Sequence, residues 1–401
     1  MPRAWVLFFV LAAPLAAAQP LRWQEPVEVA AGKAERGPWR QNDSRYDFVD
    51  DPAVAVDERG DAYVAWVDQR RKDVLFRRPG SEPVNVSRSP DTFSWLPRIV
   101  HAPHDAKRVF VLWQEIIFSG GSHGGDILFA RSQDGGRTFS APLNLSNSVA
   151  GDGKGRTTRE HWHNGSLDIA AGADGAVYAT WTEYEGKLWL AVSADGGETF
   201  SQPQHIAGDD TSPARAPSLA LAGKVIYLAW TVGEDTAAAI RVARSIDGGA
   251  RFTAPVLLRG AEYGDAPKLA VDTKSTLHLA YGLGRRIVYA RSTDGARSFE
   301  RPREIAGLGG FPSLAADAKG GVYVTWELAR GLGIAVSTDG GNTFSAAAEV
   351  PRSKARNGGT QGLLMDKLAA NARGDVVVAH SSFEPGKASR VWLMRATSPG
   401  R

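Results

Sequence analysis

Apolar and polar residues alternate in short runs along most of this chain, with the two-residue period of half-buried β-strands. The runs recur in a fixed order. The first type usually starts at a proline, as in DPAVAVD from Asp51, LPRIVHA from Leu96, APSLALA from Ala216, APKLAVD from Ala266 and FPSLAAD from Phe311. GSLDIAAG from Gly165 and MDKLAAN from Met365 are versions without it. The second type ends in an aromatic: DAYVAW at Trp66, VFVLWQ with Trp113, VYATW at Trp181, IYLAW at Trp230, LHLAY at Tyr281 and VYVTW at Trp326, with DVVVAH at His380 as a variant. A nine-residue phrase then closes a third run in five copies: SQDGGRTFS from Ser132, SADGGETFS from Ser193, SIDGGARFT from Ser245, STDGARSFE from Ser292 and STDGGNTFS from Ser337. A fourth short run follows each phrase, as in APLNLS, QPQHIA and RPREIA.

Repeats near this length indicate solenoids, propellers or arrays. The phrase reads as a hairpin turn in which Asp accepts backbone hydrogen bonds and Gly supplies positive φ. The phenylalanine is placed to plug the gap between neighbouring sheets. Five such copies closely resemble the Asp-box (BNR) repeat of the sialidase-like β-propellers. The resemblance implies that the boxes are structural and lie on the face away from any catalytic centre.

Counting first, second and third runs gives seven copies, so the expected fold is all-β: a seven-bladed β-propeller with four strands per blade. The last copy lacks a fourth strand, and WQEPVEVA from Trp23 supplies the missing pattern at the other terminus. The N-terminal strand is therefore expected to complete the last blade. The resembling sialidases have six blades, so a six-bladed ring with one decorated repeat is the alternative. The recurring Trp66, Trp113, Trp181, Trp230 and Trp326 are expected to be core residues between blades.

The first residues, MPRAWVLFFVLAAPLAAAQP, combine one Arg, an apolar stretch and Ala16-Ala17-Ala18. They read as a signal peptide over residues 1–18, cleaved near Ala18, and residues 19–401 as a single propeller domain in the periplasm or secreted. No other run is apolar enough for a membrane span. The chain has no cysteine, which excludes disulfides and thiolate metal sites. A net charge of +3 without a long basic run argues against nucleic-acid binding. We expect a monomer without a cofactor.

The longest connections gather on the face opposite the boxes, where function concentrates on a rigid scaffold. Candidate ligand-binding residues there are Arg45, Asp47, Asp50, Arg98, Glu160, His161, His163, Arg215, Tyr263 and Asp265. Arg98 and Arg215, from different blades, are expected to clamp an anion through paired N–H donors. His161, His163 and Glu160, with His123 on another insertion, form at most a weak metal motif, and no metal is assigned. Asp68, Glu115, Glu183 and Glu327 follow the second-run aromatics and are expected to pair locally. The resemblance implies an arginine triad, a Tyr–Glu pair and an acidic acid/base, but no phrase of this sequence assigns catalytic residues. The leading expectation is a propeller that binds an acidic glycan or a protein ligand at its funnel. An exo-acting glycosidase of sialidase type and a non-enzymatic assembly scaffold are the alternatives.

Overall fold

The computed structural model describes residues 21–398 apart from positions 41, 79, 90, 117–124, 147–153, 157–161, 165, 235–237 and 355–365, and only the backbone at 154, 155 and 162–164. Seven antiparallel sheets follow one another around a ring, which decides for seven blades over six. Blade one comprises Val49–Val56, Ala62–Asp68, Asp73–Arg77 and Val84–Asn85. Blades two to six repeat the order, with first strands at Ser94–Ala102, Leu167–Ala171, Ala214–Ala222, Gly264–Val271 and Gly310–Ala316. In blade seven, Leu368–Ala370, Asp375–Glu384 and Ala388–Thr397 are completed from the N-terminus. Val27–Gly32 pairs with the last strand through Val27↔Leu393 and Glu28↔Trp392, and Arg22–Trp23 continues along it. The expected closure of the ring is thus present, and it removes two exposed sheet edges.

One local unit recurs in five first strands. The residue before the proline is left-handed in each: Asp51, Leu96, Ala216, Ala266 and Phe311 have φ between 48° and 57°. That residue and its proline together face a single residue of the second strand, so each is a β-bulge. The proline lacks an N–H, and in the bulge it skips the ladder bond it cannot make. The single opposing residues are Trp66, Trp113, Trp230, Tyr281 and Trp326, all almost fully buried. Proline and aromatic therefore belong to one structural unit. In blade three, where Leu167 pairs directly with Trp181, the ladder runs without a shift.

The repeated turns are built as their residues predict. In blade three, Ser193 Oγ donates to Asp195 Oδ1 at 2.7 Å and accepts from Gly197 N at 2.8 Å. Asp195 Oδ1 also accepts from Glu198 N and Thr199 N, each at 2.9 Å, and Oδ2 accepts from the Thr199 hydroxyl at 2.6 Å. The phenylalanine of each turn reaches the preceding blade: Phe139 meets Phe76 at 5.1 Å, Phe200 meets Phe129 at 4.9 Å and Phe344 meets Tyr289 at 4.9 Å, all edge-on. The second glycine of the turn is set by the same neighbour. A Cβ at Gly197 would sit 2.6 Å from the Phe129 ring, whereas at Gly249 the nearest atom is Leu190 Cδ2 at 3.2 Å. Blade five, which packs against Val242, has Ala296 at this position despite a φ of 63°.

Replacing Gly197 by Ala should cost about 2–4 kcal/mol, combining positive φ with displacement of an aromatic ring. Gly249→Ala, which meets only an aliphatic side chain, should cost about 1–2 kcal/mol. Urea titration of both variants checks the order; equal losses would show that the preceding blade does not decide the residue.

Candidate ligand site at the funnel mouth

First strands begin, and second strands end, at one end of the central channel; the Ser-x-Asp-Gly turns lie at the other. Just inside the first end, residues near the start of the first strands tie one blade to another. Arg98 Nε donates to the Leu167 carbonyl at 3.1 Å. Asp168 accepts from Leu219 N at 2.7 Å, Ser218 from Leu269 N at 3.0 Å and Ser313 from Lys367 N at 3.2 Å. Val54 N donates to the Asp366 carbonyl at 3.1 Å, which returns blade seven to blade one.

Charges fill the centre of this belt. Asp366 lies 3.4 Å from Arg98 Nε and is bonded by Lys268 Nζ, so blades two, five and seven meet at one carboxylate. Lys367 is paired with Glu327, both of them buried. Burial raises the Asp366 pKa, but Lys268 and Arg98 more than offset it and hold the carboxyl below its usual range. Neighbouring Asp168 is pushed up to about 6 by burial and by the Asp366 charge. Asp51 is raised to about 6 by burial, against the pull of Lys367 and Arg98. Among the described residues neither Asp51 oxygen has a side-chain partner at hydrogen-bond geometry. Asp50 is raised by burial and by Asp51, although Gln69 Nε2 donates to it at 2.9 Å. Opposite charges around one axis are what make this much buried charge tolerable.

Beside the belt, the segment from Lys33 to Asp47 crosses the mouth as a small hairpin, Glu35–Arg36 with Tyr46–Asp47. Trp39 is 43% exposed and rests on Trp95 and Phe93, with ring centroids at 5.5 and 6.1 Å. Arg36, Arg40 and Arg45 of the same segment are exposed and make no ion pair among the described residues, and the Arg36 guanidinium lies over the Tyr46 ring at 5.8 Å. Beneath this platform, flanking Phe93, the side chains of Ser94 and Thr92 donate to Glu115, and Trp113 Nε1 donates at 3.0 Å. Burial outweighs these bonds and raises the Glu115 pKa to about 7.

The sequence-derived candidates are distributed unevenly over this site. Asp50 and Arg98 belong to the axial network, while Asp47 pairs with Lys33 at 3.4 Å and Arg70 at 4.0 Å. Arg215 is 3.4 Å from Asp265 of the next blade, and Asp265 also accepts from the Thr231 hydroxyl at 2.9 Å. Arg98 and Arg215 are thus buried against protein carboxylates, which corrects the expectation that they form an open anion clamp. Tyr263, 57% exposed, stands at the start of blade five. Glu160, His161 and His123 lie outside the described residues, and only the backbone of His163 is described, in the strand Trp162–Asn164. Two of the acids after the aromatics pair locally, Asp68 with Arg71 at 3.5 Å and Glu183 with Lys187 at 3.2 Å, whereas Glu327 pairs with Lys367 of the next blade and Glu115 is held by hydrogen bonds. Asp51, Asp168, Lys268, Asp366 and Trp39 were missed. Four of these five had a signal, a charge in or beside an otherwise apolar first strand.

No family model and no curated protein matches this sequence. Solved structures do. An ulvan lyase of polysaccharide lyase family PL25, bound to -[GlcA(1-4)Rha3S]-, is 12% identical over 86% of this chain and 94% of that one, with a TM-score of 0.54. The polysaccharide lyase Uly1 is 10% identical over 94% and 99%, at 0.57. The GH93 alpha-L-arabinofuranosidase of Fusarium graminearum, in complex with arabinobiose, is 14% identical over 77% and 94%, at 0.52. What they share with this chain is the propeller. Its structural neighbours include propellers that act on glycans.

The carboxyl shifts oppose each other in their effect on stability. Asp51, Asp168 and Glu115 have raised folded pKa values, so their contribution is complete below about pH 4 and is lost as pH rises through about 6–7. The turn aspartates Asp134 and Asp294 are lowered to about 2, chiefly by hydrogen bonds from Thr138 and Ser298, and stabilise above about pH 4. Melting temperature should therefore peak near about pH 4, decline between about pH 4 and 7 and level off above that. Glu115→Gln should flatten the part of this decline between about pH 5 and 7. A scan in which wild type and variant fall in parallel across that window would remove Glu115 as a cause.

Proposed function

We propose that the protein is an exported propeller of the Asp-box type that binds an acidic glycan at its funnel mouth. The observation that carries this reading is exposed Trp39, packed on Trp95 and Phe93, on a segment that also exposes Arg36, Arg40 and Arg45. An indole face packs against the C–H face of a pyranose, and arginine forks match carboxylate or sulfate groups. The aromatic supplies contact area with little loss of side-chain freedom. Export through the leader ending at Ala18 would place the site where extracellular polysaccharide is found, and Gln19 would be the mature N-terminus.

A second reading, an exo-acting glycosidase, would need a carboxyl that reaches the glycosidic oxygen. Glu115, whose pKa burial raises to about 7, is 2% exposed and held by Ser94, Thr92 and Trp113, which makes it a structural group under the platform. The two readings separate by product: binding leaves the glycan intact, and cleavage releases reducing ends.

Calorimetric titration with polygalacturonate oligosaccharides should show binding that weakens with salt, and neutral oligosaccharides of equal length should bind less. Trp39→Ala should weaken binding about tenfold without changing the melting temperature. Arg45→Ala should have a smaller effect and reduce the salt dependence. The reading fails if acidic and neutral glycans bind alike or if Trp39→Ala has no effect.

A further inference from the structure

A second surface lies on the perimeter, away from the funnel. The outermost strand of blade four, Val256–Leu257, faces the outer part of blade five across an open groove of about 1160 Å³. Its floor is aliphatic, from Val256, Leu257, Leu283 and Val288, and Leu257 is 44% exposed. Its walls are basic. Arg286 is paired with Glu304 at 3.7 Å, and Glu300 is taken by Arg291 at 2.9 Å and Arg303 at 3.4 Å. That leaves Arg259, Arg297 and Arg301 without a carboxylate partner among the described residues. Three uncompensated guanidinium groups on one groove raise the local potential and favour a negatively charged occupant.

Val256–Leu257 is also a sheet edge: it pairs with Ala239–Ser245 on one side and with no strand on the other. Edge backbone groups bond an extended peptide, and its alternate side chains then fall on opposite faces. One set would face blade five, where Val288 and the arginines lie, and the other would lie beside exposed Leu257, which pairs with Arg241 and points to the opposite face. Its aromatic lining residue, Phe299, is half-buried, whereas the funnel mouth presents an exposed indole on which a sugar could stack. We propose that this groove binds an extended segment of a partner protein in which acidic and aliphatic residues alternate, added as a fifth strand to blade four.

The test is fluorescence anisotropy of the full chain with a labelled peptide of alternating aspartate and leucine, about ten residues long. The same peptide with lysine for aspartate is the charge control, and one methylated at alternate backbone nitrogens is the pairing control. The acidic peptide should bind; the lysine peptide should not, and methylation on the pairing side should weaken binding at least tenfold. Arg259→Glu combined with Arg301→Glu should reduce binding about tenfold or more, with melting temperature and polygalacturonate binding unchanged. Three results would each overturn the proposal: equal binding of the lysine peptide, indifference to charge reversal, or loss of polygalacturonate rather than peptide binding in the double variant. The last would make the groove a glycan site.

Discussion

Seven first strands must meet around a single axis, and the way that centre is filled governs the rest of the molecule. An apolar filling would need large side chains from every blade. Here a different solution is used: Arg98, Ser218 and Ser313, each directly after a bulge, bond the backbone of the next blade, and the charged residues meet across the axis. Asp366 draws Arg98 and Lys268 to one point, so three blades distant in sequence share one carboxylate. A buried ion set of this kind adds little net stability compared with a well-packed apolar core, and removing one partner would leave the others uncompensated. Its consequence is a fixed arrangement of the ring.

Ring closure also explains the strain at the channel. Left-handed Asp51, Leu96, Ala216, Ala266 and Phe311 are unfavourable individually. They persist because the opposing Trp or Tyr, buried between two blades, occupies the space that the bulge opens. Further out, the same dependence of each blade on the one before it sets the turn residues. Glycine is required at 136, 197 and 341, where the preceding blade offers Phe76, Phe129 and Tyr289, and alanine suffices at 296 beside Val242.

The resulting scaffold presents two chemically different surfaces. The funnel mouth has an exposed indole and exposed arginines above a belt of buried carboxylates. The perimeter groove offers aliphatic side chains and a strand edge under uncompensated arginines. Both expose arginines; the first adds an exposed indole, and the second adds a strand edge beside aliphatic side chains and half-buried Phe299. Among the described residues no helix is long and apolar enough to cross a membrane.

Much of this architecture was legible in the residues. Strand alternation, the five turns, the recurring aromatics and the orphan fourth-strand pattern at Trp23 are local signals, and each records a position relative to its own blade. They determined the fold class, the blade count, the closure and the face that carries the turns. The partners of Arg98 and Arg215 were not legible, because pairing across an axis depends on which blades the ring brings together. Arg98 meets Asp366 across 268 positions of chain, and no spacing in the sequence encodes that meeting. The platform at Trp39 was missed for the same reason: a lone tryptophan outside the repeat gains meaning only when Phe93 and Trp95 of blade two lie beneath it. Periodic patterns report neighbours within a repeat, and only the tertiary structure decides which charges are left over for a ligand.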